Sequence, residues 1–308
     1  MPGAPLLLEP RNGLANRLRV LDAGIALARA QGREISLDWL LHDELGAPFE
    51  TLLEPSPEIV RITTWRLDRR LDRMRRRLRH ARWRLRGARR IGHAAIQPWL
   101  VDDVDPLGVL PASQRVIVKT WMRFYAAEPG FRWLRPAPAV ADRFAEAQAH
   151  LGPAPLVGVH IRRGDHALAI ERTPTEAFFE RMDKLLAEAP RTRFLVASDA
   201  PDVEAAARQR FGSRRVVALA KRARDRVSVE AVQDALVDLL ALSACSQVLG
   251  TFASTFGKTA AELGGVPYEV VATGARWSPG DGPMRDPPTT SWLVARGQPG
   301  GRYDGVRR

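Results

Sequence analysis

Residues 156–271 alternate between short apolar, β-branched runs and longer amphipathic segments, and this alternation limits the possible folds most. The strand-like runs are 156–161, 193–197, 214–219, 247–250 and 268–271, and the segments with helical spacing are 174–189, 203–211, 229–244 and 256–263. Strands separated by helices pair in parallel through right-handed crossovers. The second half therefore predicts a Rossmann-like, doubly wound parallel sheet.

The first half repeats this pattern less regularly. A buried run at 6–9 is followed by the turn Pro10-Arg11-Asn12-Gly13 and by apolar residues at helical spacing. Further strand-like runs lie at 34–39, 58–62 and 115–120. A chain of 308 residues is long enough for about two domains. We expect an α/β fold of two Rossmann-like domains, residues 1–150 and 151–308.

The positive charge is concentrated in residues 66–90. This segment holds 13 arginines and two aspartates, so it carries +11 of the net charge of +12. Its apolar residues recur three and four positions apart, which predicts an Arg-rich amphipathic helix inserted in the first domain. Three interpretations stay open: an arm or coiled-coil seam with solvated arginines, a helix attracted to an anionic membrane surface, and a nucleic-acid binder. Nucleic acid is the least favoured, because aromatic interleaving is limited to Trp83.

The rest of the sequence indicates a compartment. No apolar run approaches the roughly 18–20 residues of a membrane span, and the N-terminal MPGAPLLLEP lacks the basic region of a signal peptide. Cys245 is the single cysteine and cannot form an internal disulfide, which suits a reducing environment. We expect a cytoplasmic protein, peripheral at the inner face of the membrane if residues 66–90 bind lipid.

Charged residues follow the first strand-like run of the second half, in VGVHIRRGDH (157–166). Ligands of open α/β sheets bind beyond the carboxyl ends of the strands. Arg162 and Arg163 stand beside Gly164, where guanidinium groups can grip a phosphate and glycine lets the backbone approach closely. From these ten residues alone, a surface strand end whose Arg and Asp pair with each other is an equal alternative.

Three further features fall at the same predicted edge: Ser198-Asp199, residues 225–228, and TFAST at 251–255. TFAST precedes a helix, so its hydroxyls and free N–H groups could receive a phosphate. Simple N-capping is the alternative. Asp238, inside the preceding helix, is either exposed or paired with a base, and Arg162 is the candidate partner.

In their order these residues resemble a fucosyltransferase superfamily that includes core α1,6-, rhizobial nodulation, α1,2- and protein O-fucosyltransferases. The family pattern His-x-Arg-x-x-Asp is matched by His160, Arg162 and Asp165. The other matches are the N-terminal turn NGLANRLR at 12–19, the strand end Ala197, Ser198 and Asp199, and the set Asp238, Leu242, Ser243, Thr251, Phe252 and Ser254. They extend over most of residues 6–272.

The resemblance implies a GT-B arrangement, with GDP-fucose held by the C-terminal domain and the acceptor approaching from the N-terminal one. It implies catalytic roles for Arg162, which would stabilise the leaving GDP, and for Asp165. The donor-binding residues would be His160, Arg162, Arg163, Asp199, Asp238, Thr251, Ser254 and Thr255. The acceptor-side residues would be Asn12, Gly13, Asn16 and Arg17.

The general base is less directly indicated. The α1,2-type enzymes place a proposed base five residues after the signature Asp, where this chain has Ile170. Glu171, one residue later, is our candidate, and Glu176 lies at the next helix start. Asp103-x-Asp105 has the spacing of a metal-binding motif, but paired aspartates are common in loops, so we predict no metal site.

The predicted function is an inverting, metal-independent transfer of fucose, or a related deoxysugar, from GDP-fucose to a carbohydrate acceptor, with no cofactor. A preorganised arginine can stabilise the charge that builds on the leaving phosphate. Two alternatives stay open, since a fold does not determine a function. One is a non-catalytic protein that binds nucleotide sugars or glycans, and the other is an Arg-rich nucleic-acid binder.

Overall fold

The computed structural model describes residues 2–102, 104–127, 130–152, 155–164 and 167–271. Their contacts form two compact units, one of residues 2–139 with Asp225–Gln233, the other of Val140–Arg224 with residues 234–271. We expected the division at residue 150. It falls earlier because the helix before that point packs on the second unit, where Arg143 bonds Asp234 at 2.9 Å and the Ala220 carbonyl at 3.3 Å.

The first unit is built on a five-stranded parallel sheet in the order β3-β2-β1-β5-β4. Its strands are β1 Leu6–Pro10, β2 Ile35–Leu41, β3 Ile59–Arg66, β4 Arg89–Gly92 and β5 Val116–Thr120, and its helices are α1 Leu14–Gln31, α2 Arg70–Leu85, α3 His93–Val101 and α4 Pro106–Val109. All five residues of β1 are buried, as the central position of the strand requires. Gly32, at φ +60°, ends α1 by adopting the left-handed conformation that favours glycine.

The second unit contains a five-stranded parallel sheet in the order β10-β9-β6-β7-β8. The strands are β6 Leu156–Ile161, β7 Arg193–Ser198, β8 Val216–Val217, β9 Gln247–Thr251 and β10 Tyr268–Val271, and the helices are α5 Pro138–Leu151, α6 Ala167–Arg172, α7 Thr175–Glu188, α8 Pro201–Phe211, α9 Val229–Ser243 and α10 Thr255–Gly264. The strand order reverses between β6 and β9. In such sheets the crevice at this reversal, beyond the carboxyl ends of the strands, is where ligands bind.

The predicted α/β fold with two Rossmann-like parallel sheets is confirmed. The helices α3, α4 and α6 and the strand β4 were not predicted. Strand β4 has only four residues, two of which are arginines, and it lies inside the basic segment that we interpreted as one long helix. Ile91 is its buried anchor, at 1% exposure.

The Arg-rich helix is shorter than predicted, because α2 covers residues 70–85 instead of 66–90. Arg66 belongs to β3, where it pairs in register with Leu41. Gly87, at φ +81°, breaks the helix, and Ala88 is buried against the sheet. Neither α2 nor any other helix in the described ranges combines the length and apolarity needed to cross a membrane.

Candidate functional site

The strand ends at the reversal of the second sheet are joined by hydrogen bonds between β6 and β9. The Thr251 hydroxyl, at the end of β9, donates to the His160 carbonyl at 3.1 Å and accepts from the Arg162 backbone N–H at 2.9 Å. Thr251 is fully buried. One hydroxyl thus fixes the point at which Arg162 leaves the sheet.

Asp199, which follows β7, holds the loop after β6 from the other side. Its carboxylate accepts from the backbone N–H groups of Arg163 at 2.7 Å and Gly164 at 2.9 Å. A Cβ on Gly164 would lie 2.8 Å from an Asp199 carboxylate oxygen, so the close approach requires glycine. The predicted neighbours Arg162, Arg163 and Asp199 are therefore brought together.

The Arg163 guanidinium is engaged inside this loop. It donates to the Thr175 hydroxyl at 2.9 Å, the Thr173 carbonyl at 2.8 Å and the Arg162 carbonyl at 2.8 Å. These bonds engage three of the five guanidinium N–H groups, and the donor contact that the resemblance implies for Arg163 stays a prediction. The bond to the Arg162 carbonyl ties the Arg163 side chain to the backbone of its neighbour.

The TFAST segment forms the N-terminus of α10. Ser254 is the N-cap residue, yet its hydroxyl makes no capping bond. It is 4% exposed, and its Oγ has no hydrogen-bond partner among the described residues. Ala253 before it has φ +61°, an unfavourable conformation for a residue with a Cβ. Simple N-capping therefore does not describe Ser254, which adds an unused donor to the N–H groups at the start of α10, with Thr255 as its first residue.

His160 stands at the end of β6 as a buried, neutral imidazole. The His160 ring stacks on Phe256, with the ring centroids 4.7 Å apart. A Cβ added to Gly257 would lie 3.3 Å from the Cβ of His160, so the histidine is closely packed on this side as well. Burial, with a smaller contribution from the Arg162 charge, lowers its pKa to about 3 although Asp199 acts in the opposite direction. Its Nδ1 atom is buried without a hydrogen-bond partner in the described ranges. A ligand could supply that partner.

Asp238 pairs with Lys221 at 3.1 Å, a residue that sequence reasoning did not single out. We had named Arg162 as its candidate partner. Burial raises the pKa of Asp238 to about 6, and the Lys221 charge offsets only part of that rise. Lys221 also donates to Glu204 at 2.5 Å, and Arg224 bonds Glu204 at 2.6 Å. These four residues form a buried charge network.

A signal for this network was present in the sequence. Lys221 and Arg224 follow the short run that forms β8, so they come from a fourth strand end of the same sheet. Arg224 reaches the β7 end directly, because it donates to the Ser198 carbonyl at 2.9 Å. The adjacent residues 225–228 were expected at this edge, but Asp225–Gln233 pack on the first unit, where Gly46 N–H donates to the Arg226 carbonyl at 2.8 Å.

The structure describes only one of the two candidate catalytic carboxylates. Asp165 lies outside the described residues. Glu171 is exposed on α6, one residue before Arg172, whose guanidinium lies 5.8 Å from the centroid of the Phe252 ring. Helix α6 is thus adjacent to the TFAST segment, while the role of Glu171 stays a prediction.

The predicted acceptor-side turn is held by Arg17, which is fully buried. Its guanidinium donates to the carbonyls of Asn12 and Leu40, both at 2.7 Å, and lies 2.9 Å from His42 Nε2. Burial lowers its pKa to about 9. Asn12 has φ +64°, a conformation that asparagine tolerates, and Gly13 is the N-cap of α1. Arg17 therefore supports this turn from inside.

Asn16 leaves a polar atom unused near the same turn. Its Oδ1 is buried without a hydrogen-bond partner among the described residues. Asn16 lies in the first turn of α1, immediately after the carboxyl end of β1. Among the predicted acceptor-side residues, Asn16 therefore has a buried polar atom that the described residues leave unpaired.

Two buried carboxylates that we did not predict lie side by side in the first sheet. Glu9 lies near the end of β1, and Asp38 lies in the middle of β2. Both are 0% exposed, and His80 Nε2 lies 3.1 Å from an oxygen of each. Arg76 pairs with Glu9, and Arg79 Nε lies 3.0 Å from Asp38. Glu9, Asp38 and His80 place ligand atoms within 4.8 Å of one another, as a metal would need. The two arginines already neutralise these carboxylates, so the cluster is an ion-pair network and does not suit a cation.

In the Asp103-x-Asp105 motif, which has the spacing of a metal site, Asp105 has a structural role. Asp103 lies outside the described residues. Asp105 is the N-cap of α4, and its carboxylate accepts from the Leu107 N–H at 2.9 Å. N-capping by aspartate is common and requires no ion.

No family model and no curated protein matches this sequence. Solved structures are similar to it. Fucosyltransferase NodZ from Bradyrhizobium is 20% identical, with a TM-score of 0.57 over 86% of this chain and 94% of its own. A mutant of Arabidopsis thaliana FUT1 in complex with GDP is 13% identical, with a TM-score of 0.56 over 88% of this chain and 70% of its own. POFUT1 in complex with GDP is 13% identical, with a TM-score of 0.51 over 88% and 99%.

These similarities confirm the fold that the resemblance to fucosyltransferases implied. NodZ α1,6-fucosyltransferase has also been solved after soaking with GDP-fucose, again at 20% identity and a TM-score of 0.57. At such identities the shared architecture does not transfer an activity by itself. The chemistry must be inferred from the residues at the strand ends.

Proposed function

We propose that this protein transfers fucose, or a closely related deoxysugar, from GDP-fucose to a carbohydrate acceptor with inversion at the anomeric carbon. The observation that carries the proposal is that Thr251, at the end of β9, fixes the backbone of Arg162 at the reversal of the second sheet, where the TFAST segment leads into α10. A guanidinium and a helix N-terminus with an unused buried hydroxyl together suit a diphosphate. GDP-fucose and GDP in the similar structures support the choice of donor.

Arg162 would act on the leaving group. Breaking the bond between sugar and diphosphate places negative charge on the β-phosphate, and a preorganised guanidinium stabilises that charge. The partial positive charge at the start of α10 acts in the same direction. These groups perform the role that a divalent cation has in many sugar transfers, so we propose that the reaction needs no metal.

The other groups at the edge would orient the donor. His160 Nδ1 and Ser254 Oγ are buried polar atoms that a nucleotide sugar could satisfy. Asp238, held by Lys221, would present a carboxyl group from a third side. Inversion requires one displacement by an acceptor hydroxyl, and Glu171 or Asp165 would take its proton.

The acceptor would meet Asn12, Gly13 and Asn16, with Arg17 supporting them from inside. Asn16 Oδ1 is the buried acceptor atom that a sugar hydroxyl could bond. We place the reaction in the cytoplasm, which the single, buried Cys245 supports.

Purified protein incubated with GDP-fucose should bind GDP, hydrolyse the donor slowly and transfer fucose to members of a glycan panel, with activity retained in EDTA. GDP binding by calorimetry without hydrolysis or transfer would favour the non-catalytic alternative. The proposal would be contradicted if the protein did not bind GDP and instead bound DNA or RNA with an affinity that falls steeply with salt concentration.

Replacing Asp199 by alanine should weaken GDP binding about tenfold, because two N–H groups that shape the Arg162 loop lose a charged acceptor. Calorimetric titration with GDP measures the effect. Asp202→Ala, at an exposed aspartate in the first turn of α8, is the matched control and should bind GDP normally. Equal affinities for the two variants would show that Asp199 does not position the loop.

A further inference from the structure

Helix α2 has its apolar residues directed to solvent. Leu71, Met74, Leu78 and Leu85 are 61%, 51%, 51% and 87% exposed, and no residue of the helix is buried. Their spacing of three, four and seven places them along one stripe. Four large apolar side chains on one stripe form a surface that a soluble domain normally covers.

The opposite face of α2 attaches to the first unit through polar groups. Arg76 pairs with Glu9, Arg79 with Asp38, and His80 with both carboxylates. Trp83, one turn further on, packs against the buried cluster of Leu7, Ala88 and Ile117. The helix is therefore held by ion pairs and one ring, so its apolar stripe is not needed for folding.

The arginines lie on both sides of the stripe. At about 100° per residue, the stripe is centred about 180° from the attached face of Arg76, Arg79, His80 and Trp83. Arg70, Arg73, Arg77 and Arg84 project on one flank, and Arg75 and Arg82 on the other. An apolar stripe between two cationic flanks is the pattern of a helix that lies in a membrane interface.

We propose that α2 is a membrane-surface helix that binds bilayers containing anionic lipids. Leu71, Met74, Leu78 and Leu85 would enter the boundary between headgroups and acyl chains, while the flanking arginines reach lipid phosphates. The ion pairs on the opposite face would keep the helix attached to its domain. The proposal rests on α2 alone and goes beyond the sugar transfer, which it does not require.

Two other occupants fit the surface less well. A second copy would bring the same arginine flanks together, and like charges repel at short range. The 16-residue helix is about 24 Å long, so a stripe about 10 Å wide offers roughly 240 Å², well below the roughly 800 Å² per partner of a stable dimer. Nucleic acid would use the arginines but would leave the leucines in water.

The test is flotation of the full chain with vesicles of phosphatidylcholine alone or with about one third phosphatidylserine. Wild-type protein should float with the anionic vesicles only. Leu78→Ser should lower the partition coefficient about tenfold, because one buried leucine is lost. Arg77→Gln should lower it roughly fivefold through the lost charge at the surface. Val60→Ser, on β3 and 56% exposed, is the matched control and should float normally.

Four results would overturn the proposal. Wild type could fail to float with anionic vesicles, or Leu78→Ser could float as well as Val60→Ser. Sedimentation could instead show a dimer that Leu78→Ser dissociates, or binding to DNA that Arg77→Gln weakens and Leu78→Ser does not. Circular dichroism and the melting temperature should match the wild type for all three variants, since the replaced side chains are exposed.

Discussion

Replacing Arg162 by alanine should lower kcat for sugar transfer about 100- to 1,000-fold, which is about 3–4 kcal/mol of transition-state stabilisation. Thr251 fixes the backbone of Arg162, and the Arg163 guanidinium bonds the Arg162 carbonyl at 2.8 Å. With its backbone fixed on both sides, Arg162 would present its guanidinium from a preorganised position as charge develops on the leaving phosphate. The loss should therefore appear in kcat, measured with saturating donor.

A second substitution at Arg162 separates the effect of its positive charge from the effect of its guanidinium geometry. Arg162→Lys keeps a positive charge without the planar fork that bonds two phosphate oxygens, so its activity should lie between those of wild type and Arg162→Ala. Arg210→Ala is the control, because Arg210 lies near the end of α8 and pairs with Glu176 and Asp183. If Arg162→Ala turned over within about threefold of Arg210→Ala, less than 1 kcal/mol would be lost and the role assigned to Arg162 would be wrong.

The sequence was sufficient to predict the second sheet and several of the polar residues that meet at its edge. Strands β6, β7 and β9 are short apolar runs that end abruptly in polar residues, and parallel strands bring such ends to one edge. That reasoning correctly placed the loop of residues 162–164 beside Thr251 and Asp199. It depends only on periodicity and topology, which are local or follow from a general rule.

Partner choice inside the site could not be predicted in the same way. Arg162 was the candidate partner of Asp238, and the structure shows an ion pair of Asp238 with Lys221. Lys221 follows a strand of only two residues, Val216–Val217, so neither its position in the sheet nor its reach is encoded in a clear local pattern. Likewise, the spacing of the two arginines does not show that Arg163 bonds backbone carbonyls.

The basic segment was misjudged for a related reason. Its apolar spacing predicted a helix up to residue 90, but Gly87 and the buried Ala88 end it and lead into β4. Periodicity indicates which residues share a face and cannot tell which face points inward. In α2 the polar face points inward because Glu9 and Asp38 lie beneath it, far away in sequence.

Replacing Glu9 by glutamine should destabilise the first unit by about 3 kcal/mol or more. Glu9 is 0% exposed and forms ion pairs with Arg11 at 2.7 Å, with His80 at 3.1 Å and with Arg76. Burial raises its pKa, but the His80 hydrogen bond and the Arg11 and Arg76 charges outweigh burial and lower the pKa to about 2. Removing one partner of a buried ion network leaves the others without compensation.

The measurement is urea unfolding followed by tryptophan fluorescence, since every tryptophan among the described residues lies in the first unit. Glu34→Gln changes an exposed glutamate in the same unit and should shift the midpoint little. A double-mutant cycle of Glu9→Gln with His80→Ala should give a coupling energy, because the two side chains bond each other. Equal midpoints for the two glutamate variants would contradict a stabilising role for Glu9.

The pH dependence provides a second check with a defined sign. The pKa of Glu9 is lowered in the folded protein, so its stabilisation is present above the ordinary value of 4.5 and is lost as the pH falls toward 2. The carboxylates Glu9 and Asp38 raise the pKa of His80 although burial opposes them, so its stabilisation is present below 6.5 and is lost as the pH rises through the raised value. The difference in the free energy of unfolding between wild type and Glu9→Gln should therefore be largest between pH 4.5 and 6.5. It should fall toward acid pH, and above pH 6.5 it should decline only in part, because Arg11 and Arg76 stay charged. A difference that stays constant from pH 7 to pH 3 would show that the Glu9 charge does not hold α2 to the sheet.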